Sequence, residues 1–264
     1  MRRFTITPER RRDDQVTFDR RESHHLARVL RLKAGDTVVA VDGSGREFTV
    51  RLDTVAPEAA GTIVGVAVRN TESSFAITLV QALPKGDKLE AVIRAATELG
   101  IARVAPALTT RSVVRLDAAR AASRVERWQR VAREAAKQCG RTRLPTIEAP
   151  RPLAEWIAEP SDDRTLRLCL WEEERTPLAE TLAALAPAPT SAVVIVGPEG
   201  GLTPDEVETA RRAGWRITGF GPRLLRTETA GPAVIAALQF HYGDLGRARH
   251  GEDQGGSRHP SGRA

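Results

Sequence analysis

The stretch Ala192-Val193-Val194-Ile195-Val196-Gly197-Pro198-Glu199-Gly200-Gly201-Leu202-Thr203-Pro204-Asp205-Glu206 decides the fold. Its first five residues are apolar without alternation, so a strand here must be covered on both faces, as in a parallel sheet flanked by helices. The glycine-rich turn that follows lets the backbone bend sharply and approach a ligand closely. Thr203-Pro204-Asp205-Glu206 then reads as a helix start, with a hydroxyl cap, proline at the first helical position and glutamate at the third. Strand, loop and helix in this order form the unit of an α/β sheet.

The same grammar extends in both directions. Residues 76–82 read as a buried strand, followed by a helix over about 87–99 with Asp87 and Glu90 at capping-box spacing and Gly100 as its stop. A short strand at 102–105, a long helix over about 118–139, an apolar strand at 166–171, a last strand at 216–220 and a final helix over about 230–242 complete it. Upstream of Phe75 the pattern changes. Residues 16–18, 37–41, 47–52 and 62–68 are β-branched runs, and Asp42-Gly43-Ser44-Gly45 is a hairpin signal. One helix interrupts them, with Ser23 as its cap and Leu26, Val29 and Leu30 as its apolar stripe. The prediction is a small β-barrel domain over 1–72 and an α/β domain with a mostly parallel sheet over 73–246. A tail over 247–264, rich in Gly, Arg, Ser and Pro, is read as disordered.

Composition bounds the chemistry. At 41% hydrophobic and 28% charged, the 264 residues suffice for buried cores. The net charge of +6 hides an uneven distribution: residues 85–145 carry 14 basic and 6 acidic side chains, and residues 146–210 carry 4 and 13. A basic segment next to an acidic one points to a face made for phosphates. Of the 40 cations 36 are arginine, whose guanidinium fork matches phosphate oxygens. No run of about eighteen apolar residues is present, and Met1-Arg2-Arg3 leads into charge, so neither a membrane span nor a secretory signal is expected and a reduced cytoplasmic setting is the default. Two cysteines, Cys139 and Cys169, are too few for a disulfide framework, and metal-ligand spacing is absent.

Two loops directly after sheet strands carry the candidate chemistry: Gly197-Pro198-Glu199-Gly200-Gly201, and Gly221-Pro222-Arg223-Leu224-Leu225-Arg226-Thr227-Glu228-Thr229-Ala230 leading into the final helix. Ligands of open parallel sheets collect beyond the carboxyl ends of the strands, where such loops lie. The second loop concentrates four polar side chains where a helix needs a single cap; an ion pair of Arg226 with Glu228 or Glu199 is the structural alternative. Neither loop is a nucleotide-hydrolase phosphate cradle or a dinucleotide fingerprint. None of the five histidines falls in them, so triad chemistry has no candidate.

Several blocks in order resemble the bacterial 16S ribosomal RNA uridine N3-methyltransferases of the SPOUT superfamily. They are His24-His25-Leu26-Ala27-Arg28-Val29-Leu30-Arg31; Lys85-Gly86-Asp87-Lys88 with Ala96-Thr97-Glu98-Leu99-Gly100; Arg111-Ser112; Arg127-Trp128 with Glu134-Ala135 and Gln138; and the two loops. Together they span about residues 4–243. Leu202 and Leu224 depart from the family pattern as apolar exchanges. The resemblance implies a PUA-like barrel, an α/β domain ending in a C-terminal trefoil knot, a homodimer, S-adenosylmethionine as cofactor, and as target a uridine near the decoding centre of 16S rRNA in the assembled 30S subunit.

On this resemblance the cofactor pocket takes Leu170, Trp171, Gly197, Pro198, Glu199, Gly200, Gly201, Gly221, Leu224, Leu225, Thr227, Thr229 and Ala230. Uracil N3 bears a proton on its pairing edge, so Glu199 or Glu228 is expected to receive it and Arg226 to stabilise charge on the uracil carbonyls; a structural network of the three is the alternative. For RNA the candidates are His24, His25, Arg28, Arg31, Lys85, Lys88, Arg111, Arg133, Lys137 and Arg141, with Arg115, Arg130 and Arg143 beside them. Each alone is equally explained by a solvated helix face; as a group they favour phosphate contact. Trp128 and Trp156 read as core or dimer interface. Rival functions are methylation of another RNA atom (2′-O or another base nitrogen) on the same fold, and a non-catalytic RNA-binding ribosome-assembly factor.

Overall fold

The computed structural model describes residues 3–68, 71–112 and 118–247. Its first sheet joins β1 (Arg3–Thr5), β2 (Arg11–Arg12), β3 (Gln15–Thr17), β4 (Thr37–Val41), β5 (Arg46–Thr54) and β6 (Ala60–Val68). Their order is β1-β4-β5-β6-β3-β2, antiparallel except for the parallel β1–β4 pair. Phe4, Phe18, Leu26, Phe48 and Leu52 fill its interior. The intervening helix α1 (Arg20–His24) is capped by Asp19, whose carboxylate accepts from the Glu22 N–H at 2.7 Å. Ser23, read as the cap, sits inside the helix: its hydroxyl donates to the Phe18 carbonyl and accepts from the Ala59 N–H at 2.9 Å, tying the helix to the barrel. After α1 the chain widens into a π-turn over His25–Val29 and ends at Arg31 in the left-handed region, φ 54°.

The second sheet holds β7 (Ala76–Ala82), β8 (Arg103–Leu108), β9 (Thr146–Ile147), β10 (Arg151–Pro152), β11 (Thr165–Leu170), β12 (Ser191–Val196) and β13 (Arg216–Thr218). The order is β10-β8-β7-β12-β11-β13, with β9 also on β8, and all pairs are parallel. Around it lie α2 (Lys88–Glu98), α3 (Ala118–Cys139), α4 (Leu153–Ala158), α5 (Leu178–Ala183), α6 (Pro204–Arg212) and α7 (Thr227–His241). Side chains alternate across the sheet. Ile77, Leu79, Leu168 and Val194 pack in one cluster with Val92 and Ile93 of α2 and Val234 and Leu238 of α7. Val80, Ala105, Cys169 and Ile195 pack in another with Trp156 of α4, Val207 of α6 and Trp215. Two-sided burial is why the β12 run carries no polar residue.

Three local expectations shift. Asp87 precedes α2 but makes no side-chain cap bond; its carboxylate and that of Glu90 both turn to Arg127, at 3.5 Å and 2.6 Å. The last helix begins at Thr227, three residues before its expected start, so Thr227, Glu228 and Thr229 form its first turn and Pro232 lies within it. The polar run Arg226-Thr227-Glu228-Thr229 reads locally as loop, and packing of α7 against α2 and the sheet overrides that. Helices α4 and α5 have six residues each, too few to show a period. Trp128 and Trp156 are both core residues, and the Trp156 Nε1–H donates to the Pro106 carbonyl. Arg115 and nearly all of the 247–264 tail fall outside the described residues. Among those described, no helix is long and apolar enough to cross a membrane.

Candidate active site

Because β13, β11 and β12 are parallel neighbours, their carboxyl ends open at one edge and the loops that follow must meet there. Between them is a cavity of about 550 Å³, the size range of a cofactor site. Leu170, Trp171, Gly197, Pro198, Glu199, Gly201, Gly221, Leu224, Leu225, Thr227 and Ala230 line it, as do Arg226 and Glu228. Gly200 and Thr229 are not on its wall. Leu224 is 82% exposed, so it forms the rim and not the floor.

The two loops are joined by a buried hydroxyl. Thr227 Oγ1 donates to the Gly197 carbonyl at 2.7 Å and accepts from Gln81 Nε2 of β7 at 2.9 Å. Gly201 closes the first turn by donating its N–H to the Pro198 carbonyl at 2.9 Å, at φ 70°. That left-handed φ is what favours glycine here; a Cβ would only require the exposed Glu172 carboxylate to swing aside. From the other side, Arg111 donates to the carbonyls of Gly200 at 2.7 Å and Leu202 at 3.4 Å. The Thr110 N–H meanwhile donates to Glu206, which completes the capping box with Thr203.

Electrostatics in the cavity centre on Lys88, a residue read from sequence as an RNA contact. Its ammonium lies 2.8 Å from Glu199 and 3.7 Å from Glu228. Neither acid pairs with Arg226; Lys88 takes that place. The Glu199 carboxylate also accepts the Lys85 N–H at 3.1 Å. Burial works against its charge, but the Lys88 hydrogen bond and backbone donors outweigh it and hold the carboxyl below its ordinary range. The same hydrogen bond, donated to Glu199, raises Lys88. Glu174, also on the wall, is lowered by the Thr176 and Arg175 groups it accepts from. Behind Leu170, Cys169 is pushed up to about 12 by burial and is an inert thiol. Two buried polar atoms on the wall lack a hydrogen-bond partner, Trp171 Nε1 and Glu228 Oε2. No group of three His, Cys, Asp or Glu residues among those described is arranged to hold a metal ion.

The remaining RNA candidates separate into two kinds. His24, Arg28, Arg31 and Lys85 are exposed, and Arg133 and His25 are partly buried, His25 against the Phe4 ring at 5.8 Å. Lys137 and Arg141 point inward. Lys137 pairs with Glu22 of α1 at 2.7 Å and lies over the Phe4 ring. Arg141, 7% exposed, pairs with Glu72 and donates to the carbonyls of Thr97 at 3.0 Å and Ile101 at 2.9 Å. These two cations bind parts of the chain to one another, and nothing in their local sequence distinguishes them from solvated ones. The pocket roles of Lys88, Glu172 and Glu174 were likewise not read from the sequence. Lys88 alone carried a signal, its place in the turn after β7.

Comparison with known proteins agrees with this geometry. A family model described as an RNA methyltransferase domain matches residues 71–239, and one described as an RNA methyltransferase PUA domain matches residues 18–55. A ribosomal RNA small subunit methyltransferase E from a Synechocystis species is 33% identical, covering 89% of this chain and 76% of that protein. A methyltransferase from Legionella pneumophila, solved with bound S-adenosylmethionine, superposes with a TM-score of 0.84 at 29% identity over 92% of this chain and 98% of that one. A ribosomal RNA small subunit methyltransferase E from Neisseria gonorrhoeae, also bound to S-adenosylmethionine, gives 0.82 at 30% identity over 93% and 99%. With its PUA-type barrel, its parallel sheet and the cavity at that sheet's carboxyl edge, the chain belongs to the ribosomal RNA small subunit methyltransferase E family.

Proposed function

We propose that this methyltransferase moves a methyl group from S-adenosylmethionine to N3 of one uridine near the decoding centre of 16S rRNA, within the assembled 30S subunit, in the cytoplasm and as a homodimer. The observation that supports it most is the hydroxyl bridge from Thr227 to Gly197, which draws both loops around one cavity. The residues present fit the cofactor. Gly197 and Gly201 leave backbone exposed on the wall, Trp171 Nε1 is a buried donor in need of an acceptor, and Leu170 and Leu225 offer apolar surface to a ring. When bound, S-adenosylmethionine supplies a methyl group already activated on a sulfonium.

The chain's task is then to hold a uracil in line and to manage its proton. N3 lies on the pairing edge, so the target must be unpaired or turned out of its stack. Of the four carboxylates lining the cavity, Glu199 and Glu228 lie beside Lys88 and are the candidates for the N3 proton, and exposed Arg226 is placed to offset charge growing on the uracil oxygens. His24, Arg28, Arg31, Lys85, Arg111 and Arg133 would guide the RNA backbone.

Two further features favour the wider reading. Helix α7 follows the edge strand β13 yet packs back on β7, β12 and α2, the return path a trefoil knot requires. It is also apolar on both sides, burying Val234, Ile235 and Leu238 while Phe240 stands 71% exposed, a face suited to a second copy. The deciding experiment incubates small subunits lacking the modification with protein and labelled cofactor, then identifies the product nucleoside by mass spectrometry. A single 3-methyluridine is expected. Methyl on a ribose oxygen or another base nitrogen refutes the N3 assignment; no transfer together with no calorimetric cofactor binding leaves an assembly factor.

A further inference from the structure

The two carboxylates beside Lys88 are not equivalent, and the difference bears on which one does chemistry. Glu199 is already occupied. Its Oε1 takes the Lys88 ammonium at 2.8 Å and the Lys85 amide at 3.1 Å, and its Oε2 lies 3.4 Å from that same amide. These bonds anchor the glycine-rich loop to the turn before α2. Moving Glu199 to a substrate would break that anchor.

Glu228 is arranged differently. It sits in the first turn of α7, where the N-terminal end of a fifteen-residue helix favours a negative charge. Its Oε2 is buried on the cavity wall and has no hydrogen-bond partner. The nearest cation, Lys88, is 3.7 Å away, inside ion-pair range but beyond a hydrogen bond. A buried acceptor left vacant is rare unless something supplies its donor. The cavity faces it and the Lys88 ammonium is committed to Glu199 at 2.8 Å, so a group entering the cavity is placed to supply that donor.

Resting on the uridine N3 reading above, we propose that Glu228 is the catalytic residue that accepts the N3 proton, and that its vacant oxygen selects uracil over cytosine. The N3–H bond breaks with its electron pair remaining on nitrogen, and the proton passes to Glu228 Oε2. That pair forms the N3–carbon bond as the carbon–sulfur bond breaks toward sulfur, leaving 3-methyluridine, a neutral thioether and protonated Glu228. The proton then leaves to water. Selectivity follows from the same atom: uracil N3 is a donor and meets an acceptor, whereas cytosine N3 carries a lone pair and is repelled by the carboxylate.

The test uses the full-length protein, small subunits lacking the modification, and the variants Glu228→Gln and Glu199→Gln. Single-turnover rates at saturating cofactor are followed against pH, cofactor affinity by calorimetry, and the product nucleoside by mass spectrometry. Expected for Glu228→Gln is a rate at neutral pH lower by about 10²–10⁴-fold, the usual contribution of a positioned base. That rate should climb with hydroxide where the wild type is flat, as the uracil ionises unaided, with cofactor affinity within about threefold of wild type. Glu199→Gln should weaken cofactor binding more than it slows the saturated rate. Subunits carrying cytidine at the target position should bind wild type more weakly than uridine subunits, and Glu228→Gln should lose that preference. A flat, wild-type-like pH profile for Glu228→Gln overturns the inference, as does a cofactor affinity lowered tenfold with the saturated rate unchanged. If Glu228→Gln fails to fold, Glu228→Asp keeps the question open to refutation: a shortened carboxylate should slow the rate without making it follow hydroxide. A wild-type product other than 3-methyluridine would instead sink the N3 reading itself.

Discussion

Replacing Thr227 by valine removes one hydroxyl and almost no volume, which makes it the cleanest probe of how the two site loops are joined. Thr227 is 5% exposed and Gln81 is fully buried. In Thr227→Val the Gly197 carbonyl loses its 2.7 Å donor and Gln81 Nε2 loses its 2.9 Å acceptor. A buried polar group stripped of its partner costs about 1–3 kcal/mol. Gln81 Nε2 keeps its bond to the Ala82 carbonyl at 3.3 Å, and Gly197 is only half-buried, so both losses sit near the low end. The expected destabilisation is therefore about 2–3 kcal/mol, or a fall in Tm of about 4–12 °C for a chain of this size. Thr227→Ser keeps the hydroxyl and loses one methyl, costing about 1 kcal/mol. The comparison of the two by thermal unfolding isolates the hydrogen bonds. Calorimetry should show cofactor affinity reduced about tenfold in the valine variant, the equivalent of 1.4 kcal/mol, and nearly intact in the serine variant. If Thr227→Val is as stable as Thr227→Ser and binds cofactor equally well, the hydroxyl is not what holds the loops together.

Further outcomes follow from the placement of the arginines and of Glu199. Arg141→Met should lower stability by about 3–5 kcal/mol by breaking its buried pair with Glu72, read by denaturant unfolding. Its effect on the salt dependence of RNA binding should be negligible; the reverse pattern would return Arg141 to the RNA surface. Arg28→Ala and Arg31→Ala should behave oppositely, leaving Tm within about 1 °C and each reducing the salt slope of RNA binding by about one unit. Arg111→Ala should weaken cofactor binding in the absence of RNA, since it frees the Gly200 carbonyl, and calorimetry on the protein alone checks this. The Glu199 carboxyl is lowered in the folded protein, so the anchor it forms is present above the ordinary glutamate range and is lost as pH falls through the lowered value. Lys88 is raised, so its half of the pair fails only above the ordinary lysine range. Cofactor affinity should accordingly show no pH dependence from this pair between about pH 5 and 9, where it is intact, and should decline below about pH 4 in wild type but not in Glu199→Gln.

What the amino-acid order determined by itself is local or periodic. The unbroken apolar run of β12 demanded cover on both sides, and the sheet has it. Thr203 and Glu206 sit three residues apart and make the reciprocal capping bonds that this spacing allows. Glycines at 100, 140 and 214 adopt positive φ at or just beyond the ends of their helices, a conformation other residues rarely accept. Tertiary structure alone decided which distant groups meet. Lys88 and Glu199 are 111 residues apart and become partners because β7 and β12 are neighbours although four strands separate them in sequence. Thr227 reaches Gly197 because α7 returns to the middle of the sheet from its edge. Likewise Lys137 and Arg141 have the same local appearance as solvated cations, and only the barrel packed against α3, with Glu22 and Glu72 waiting, turns them inward. Helix and strand periods report which face is apolar; they carry no information about the charge across a domain boundary, because that attraction acts between residues whose separation in space is set only after the sheet has assembled.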